Sequence, residues 1–170
     1  NGDMVFSGYL HLKEESKEAF DEEGWFYTGD IGDFTKDGFL RITDRKKDLI
    51  VTSGGKKISP QHLEAMLQQS PYISQAFVYG DGCKFISALV TLNEAAVRDY
   101  FKNKGIFVNG KPLAKHPQVE ELIWNEIKEM NSRLASFESV KKFAILDQDF
   151  SVEGGELTPT MKVRRKVVSE

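Results

Sequence analysis

Four short strings in this chain carry side chains suited to ribose and phosphate chemistry. In Thr28-Gly29-Asp30 a carboxylate follows a glycine at a strand start, where it can accept hydrogen bonds from the two hydroxyls of a ribose. In Asp44-Arg45-Lys46-Lys47-Asp48 the planar fork of Arg45 suits a phosphate or a ribose oxygen. Ser53-Gly54-Gly55-Lys56-Lys57 is a turn of small residues followed by cations. Its glycines let backbone approach a ligand closely, and bare N–H groups bind anions. It lacks the spacing of a P-loop, because no Ser or Thr directly follows its lysines. Leu157-Thr158-Pro159-Thr160-Met161-Lys162 ends on a lysine that a rigid Thr-Pro-Thr loop can deliver into a remote active site. Singly, each string has an ordinary reading: a turn-capping Asp, a solvated charged run, a plain turn, and a basic, partly disordered tail.

The elements that must position these residues are legible from periodicity and turn chemistry. A short charged helical stretch is expected around residues 13–20. Residues 28–43 form a β-hairpin, with Asp37-Gly38 as a strong turn signal. Leu49-Ile50-Val51 reads as a strand broken by Ser53-Gly54-Gly55. Ser59 caps a helix with Pro60 at its first position and Leu63, Met66 and Leu67 on one face. Residues 73–79 and 85–92 read as two antiparallel strands. Residues 93–104 form an amphipathic helix capped by Asn93, and residues 105–116 form a loop containing Asn109-Gly110. The longest helix is expected over 117–134, with Val119, Leu122, Ile123, Ile127 and Met130 on one face. A strand over 140–146, a polar loop over 150–156 and a basic tail complete the chain. This order predicts an α+β fold, a small mixed or antiparallel sheet with flanking helices, preceded by a β-hairpin; it is not a doubly wound βαβ pattern. The natural cut falls near Lys47.

Composition bounds the function classes. The chain has 170 residues, is 40% hydrophobic and contains twelve Phe, so it can bury a core. A net charge of -3 argues against a general nucleic-acid binder. With Cys83 as its one cysteine, no internal disulfide can form, which fits a reducing compartment. His11, His62 and His116 do not cluster in sequence, and no protein metal site is expected. No apolar run reaches the roughly 18 residues of a membrane span. The start at Asn1-Gly2-Asp3 has no initiator Met and no signal-peptide core, and reads as internal to a longer chain.

Taken together, the order and spacing of Tyr27-Thr28-Gly29-Asp30, Asp44-Arg45-Lys46-Lys47-Asp48, Ser53-Gly54-Gly55 and Lys162 resemble the adenylate-forming superfamily of acyl-CoA synthetases, luciferases and peptide-synthetase adenylation domains. The strings over 24–32, 42–51 and 157–162 are similar to the long-chain acyl-CoA synthetase branch. The resemblance covers nearly the whole chain and is weakest over residues 103–118. It implies two domains: residues 1–46 as the terminal segment of a large N-terminal adenylation domain, and residues 47–170 as a mobile C-terminal domain.

The resemblance also implies a two-step ligase. A fatty acid carboxylate attacks ATP to give acyl-AMP and pyrophosphate; the thiol of coenzyme A then takes the acyl group and releases AMP. By position, Asp30 would bind the ribose hydroxyls, with Arg45 assisting there. Lys47 would be the hinge. Lys162 would be the adenylation lysine, bridging the substrate carboxylate and the α-phosphate. Ser53 and Gly54 would line the coenzyme A side in the second conformation, with cations such as Lys56 meeting its phosphates. Mg2+ would arrive with ATP. Many members of the superfamily carry Gly before the lysine, where this chain has Met161, and Lys166 is the competing candidate. The phosphate loop, acyl tunnel and metal-coordinating acid of the family lie upstream, so the resemblance implies an inactive segment without its N-terminal domain. It further implies a cytoplasmic protein and admits peripheral association with the inner membrane surface. The rival expectations are a ligase for another carboxylic acid and a standalone binding module.

Overall fold

Asp37-Gly38 closes the first hairpin, with Gly38 in the left-handed region at φ +82. Strands β1 (Asp30–Phe34) and β2 (Leu40–Arg45) pair antiparallel on either side of it, with a bulge at Ile31/Gly32. Before them lies the short helix α1 (Lys13–Ala19), and after them a 3-10 turn, Lys46–Asp48. Phe6 packs edge-on against Phe20 and Phe26, centroids 5.4 and 5.1 Å away, giving this unit a small aromatic cluster of its own.

The computed structural model describes residues 2–106 and 112–169 and divides into two compact units, Asn1–Asp48 and Leu49–Glu170. The division falls at the end of the 3-10 turn, two residues beyond the cut expected from sequence. Of the loop expected over 105–116, the part holding Asn109-Gly110 lies outside the described residues, and Leu113–Lys115 form a 3-10 turn.

The second unit is built on a three-stranded sheet of order β5-β6-β7. Strand β5 (Ile73–Tyr79) pairs antiparallel with β6 (Ile86–Leu92), and β7 (Val140–Ile145) joins β6 in parallel. The parallel partner is possible because the connection from β6 to β7 holds two helices, α3 (Glu94–Asn103) and α4 (Pro117–Asn131). Two-residue strands β3 (Ile50–Val51) and β4 (Lys57–Ile58) form a separate small ladder. Sequence periodicity gave no sign of β4, which is too short to show any alternation. Helix α2 (Pro60–Leu67) starts as expected, with the Ser59 hydroxyl accepting from His62 N–H.

Alternation along β5 and β6 sends side chains to two cores. Ala76, Val78, Ile86, Ala88 and Val90 face the larger one, where Leu63, Val97, Ile123 and Ile127 of the helices are fully or nearly fully buried. Phe77 faces the other side, packed with Phe150 and Leu157 and lined by Leu89, Val163 and Val168. The stretch read from sequence as a polar loop and basic tail is therefore the cover of the sheet's second face. It ends in the short helix α5 (Arg165–Ser169).

Candidate functional site

Asp30 opens β1 directly after Gly29, whose φ of +74 is open to glycine without the strain a Cβ would meet. Its ladder partner is Arg45, and Arg45 Nε donates to Asp30 Oδ1 at 3.0 Å. The two residues expected at a ribose are thus brought together on one hairpin. Gly29 C=O accepts from Lys46 N–H at 2.8 Å and ties the two strand ends. Lys47, the expected hinge, is exposed within the 3-10 turn that ends this unit. Farther along the hairpin, the forked hydrogen bond from Arg41 holds the Asp33 carboxyl below its ordinary value of 3.8 and raises the Arg41 guanidinium in turn.

In the second unit, Ser53 and Gly54 form the exposed tip of the β3–β4 turn. Thr52 N–H donates to Lys56 C=O at 3.0 Å, Gly55 N–H donates to Thr52 C=O at 2.8 Å, and Lys56 N–H donates to the Thr52 hydroxyl at 3.2 Å. Gly55 has φ +73. The turn is docked by Ser53 N–H donating to Cys83 C=O at 2.9 Å and by Val51 N–H donating to the Asp81 carboxylate at 2.9 Å. Lys56 Nζ lies 5.4 Å from the centre of the Phe137 ring, a cation–π distance.

The Lys162 loop is a second tight turn. Thr158 N–H donates to Lys162 C=O at 2.8 Å, Met161 N–H donates to Thr158 C=O at 2.8 Å, and Lys162 N–H donates to the Thr158 hydroxyl at 3.1 Å. Leu157 and Val163 pair across its stem. Lys162 is exposed, and among the described residues no carboxylate pairs with its ammonium. Its competitor Lys166 sits in α5, outside the turn. Ile50 and Ile58 root the Ser53–Gly54 turn in the larger core, whereas Leu157 and Val163 root the Lys162 turn in the smaller one. The two turns therefore grow from opposite faces of one sheet.

Sequence spacing missed what anchors the Lys162 turn. Arg165 donates to Glu64 Oε1 at 2.7 Å and to Val78 C=O at 2.6 Å, partners 101 and 87 residues away. No local pattern announces contacts at that separation. Among the described residues, no three His, Cys, Asp or Glu side chains gather into a metal-binding group, and no helix is long and apolar enough to cross a membrane.

A family model for the AMP-binding enzyme C-terminal domain matches residues 47–170. The chain is 46% identical over 173 residues to a long-chain-fatty-acid–CoA ligase of Mycobacterium tuberculosis, covering 99% of this chain and 28% of that protein. It is 38% identical over 188 residues to a long-chain-fatty-acid–CoA ligase of Homo sapiens, covering 99% and 26%. The chain therefore spans little more than a quarter of the length of these curated relatives. Among solved structures, it is similar to the adenylation domain of a carboxylic acid reductase from Segniliparus rugosus in complex with AMP and a co-purified carboxylic acid. That match has a TM-score of 0.78 and 25% identity, over 99% of this chain and 25% of that one. It is also similar to an O-succinylbenzoate coenzyme A synthetase from Bacillus subtilis in complex with ATP and magnesium ion, with a TM-score of 0.64 and 27% identity, over 98% and 28%. A mixed α/β unit with a lysine-bearing turn on each side of its sheet, matched over 124 residues by one family model, makes the assignment plain: this chain belongs to the AMP-binding enzyme C-terminal domain family.

Proposed function

We propose that the chain is the C-terminal part of an ATP-dependent long-chain fatty-acid–CoA ligase, with residues 1–46 closing a large adenylation domain and residues 47–170 forming its mobile C-terminal domain. The observation that carries this reading is the pair of lysine-bearing turns, rooted on opposite faces of one sheet. A domain that swings about Lys47 presents one turn and then the other to a fixed substrate site. Such closure steps serve to complete a catalytic arrangement and then clear it.

In the first step, Lys162 stands between the fatty acid carboxylate and the α-phosphate. Negative charge gathers on the phosphoryl oxygens as the carboxylate attacks, and a positioned ammonium lowers that barrier. Its exposure, and the lack of a carboxylate partner among the described residues, leave the ammonium available for this. Asp30 accepts the ribose hydroxyls, and Arg45 fixes the Asp30 carboxylate while offering its remaining N–H donors. Mg2+ travels with ATP and supplies charge neutralisation at the phosphates. In the second step the Ser53–Gly54 turn faces the coenzyme A path and Lys56 meets its phosphates. The location that fits these substrates is cytoplasmic, with peripheral attachment at the inner membrane surface where fatty acids arrive.

Fatty-acid-dependent ATP–pyrophosphate exchange in the full-length protein tests the reading, with thioester formation from pre-made acyl-AMP run alongside. Lys162→Ala abolishes exchange and spares the thioester step on this proposal. If exchange survives, Lys162 is not the adenylation lysine and Lys166 takes its place as the candidate.

A further inference from the structure

The geometry points to Arg165 and Glu64 as positioning residues that hold the Lys162 turn in register for adenylation, an inference that rests on the role proposed for Lys162. Strand β5 is an edge of the three-stranded sheet. Val78 stands opposite Ala88 in the β5–β6 ladder. Both of its backbone groups are nevertheless taken by side chains: its N–H donates to Glu64 Oε1 at 2.8 Å, and its C=O accepts from Arg165 at 2.6 Å. Arg165 closes the triangle by donating to the same Glu64 oxygen at 2.7 Å. The pair of side chains stands in for the missing neighbour strand.

Three features make this a clamp and not a loose surface pair. The Arg165 and Glu64 side chains are only 23% and 13% exposed. The guanidinium carbon lies 4.5 Å from the centre of the Phe77 ring, which is itself buried among Phe150 and Leu157. Two separate N–H groups of the fork are engaged, a geometry that Lys cannot copy. Arg165 is three residues beyond Lys162, so the clamp fixes the chain within about 10 Å of the lysine's backbone. Val163, between them, packs into the same core. A displacement of about 1 Å in a reacting group can cost about a hundredfold in rate. Arg165, three residues from Lys162, is the arm of the clamp that bears most on the step that uses Lys162, whereas Glu64 sits on α2, whose Leu63 shares the larger core with Ile50 and Ile58.

The test is the half-reaction split in the full-length ligase. Arg165→Met is expected to lower fatty-acid-dependent ATP–pyrophosphate exchange roughly ten- to a hundredfold, through kcat, while thioester formation from acyl-AMP stays within about twofold. Glu64→Met, which removes the partner of Arg165, is expected to lower exchange more than thioester formation. If either Met variant does not fold, Arg165→Lys and Glu64→Gln keep the volume and break the fork or its charge, and are expected to show the split in weaker form. Equal loss in both half-reactions would mean a purely structural role and overturns the inference. So would unchanged exchange in a variant of either residue when Lys162→Ala abolishes it. If Lys162→Ala itself leaves exchange intact, the functional reading beneath the clamp falls, and that result is distinguishable from failure of the clamp alone.

Discussion

Met161 occupies, in the turn that carries Lys162, the position that Gly55 occupies in the turn that carries Lys56. The two turns match bond for bond: a threonine gives and takes the closing backbone bonds and its hydroxyl accepts from the lysine N–H. The loop from Thr35 to Phe39, with Gly38 at the same place, repeats the pattern a third time. Gly38 and Gly55 have φ +82 and +73, and Met161 has φ +61. This is the left-handed residue of a three-residue hairpin loop, where glycine is the ordinary choice.

From that match, Met161→Gly should stabilise the second unit. A side chain in the left-handed region costs about 1–2 kcal/mol, part of which is offset by the greater freedom of glycine in the unfolded chain. A net gain of about 0.5–1 kcal/mol is expected, read as a higher urea midpoint in Trp124 fluorescence. Met161→Val should move the midpoint down, because a β-branched residue tolerates this region worst.

Asp30→Asn should separate binding from stability. The Asp30–Arg45 pair is partly exposed, so its loss should change folding stability by less than about 1 kcal/mol. On the proposed ligase reading, the same change in the full-length protein should raise the KM for ATP by roughly tenfold or more, since a charged acceptor for the ribose hydroxyls would be lost. An unchanged KM for ATP would remove Asp30 from the nucleotide site.

Asn131 ends α4 by bonding both backbone groups of the fully buried Val140: its Nδ2 donates to Val140 C=O and its Oδ1 accepts from Val140 N–H, each at 2.9 Å. Asn131→Ala leaves two buried polar groups without partners and should cost about 2–4 kcal/mol. Asn131→Asp keeps only the acceptor and should be comparably harmful. Urea unfolding of the second unit measures both.

Asp33 provides a pH signature in the first unit. Its carboxyl is held low by the Arg41 fork, so its folded value lies below its unfolded one. The resulting stability is present above about pH 4 and is lost as pH falls through the depressed folded value. Because the pair is exposed, the effect belongs to the titration and not to a large energy. In an NMR titration the Asp33 carboxyl should reach its midpoint below 3.8, and Arg41→Gln should return it to that value.

Much of this protein was determined by local sequence. Asp37-Gly38 specified the first hairpin, Ser59-Pro60 specified the start of α2, and the apolar stripe from Val119 to Met130 specified α4, because turn chemistry, capping and helical period act over a few residues. The hairpin read over 28–43 stopped two residues short of Arg45; the structure extends β2 to Arg45 and sets it opposite Asp30. What only the tertiary structure decided acts over long separations. Strand β7 joins β6 in parallel because two helices intervene, and no residue in β7 announces that partner. The tail from Phe150 onward is rich in polar residues yet seals a second core, because four of its apolar residues, Phe150, Leu157, Val163 and Val168, gather in the cluster of Phe77 only after folding. Arg165 looked like one cation in a basic run; its role was set by Glu64 and Val78, about a hundred residues away, where burial and the free edge of β5 gave it partners.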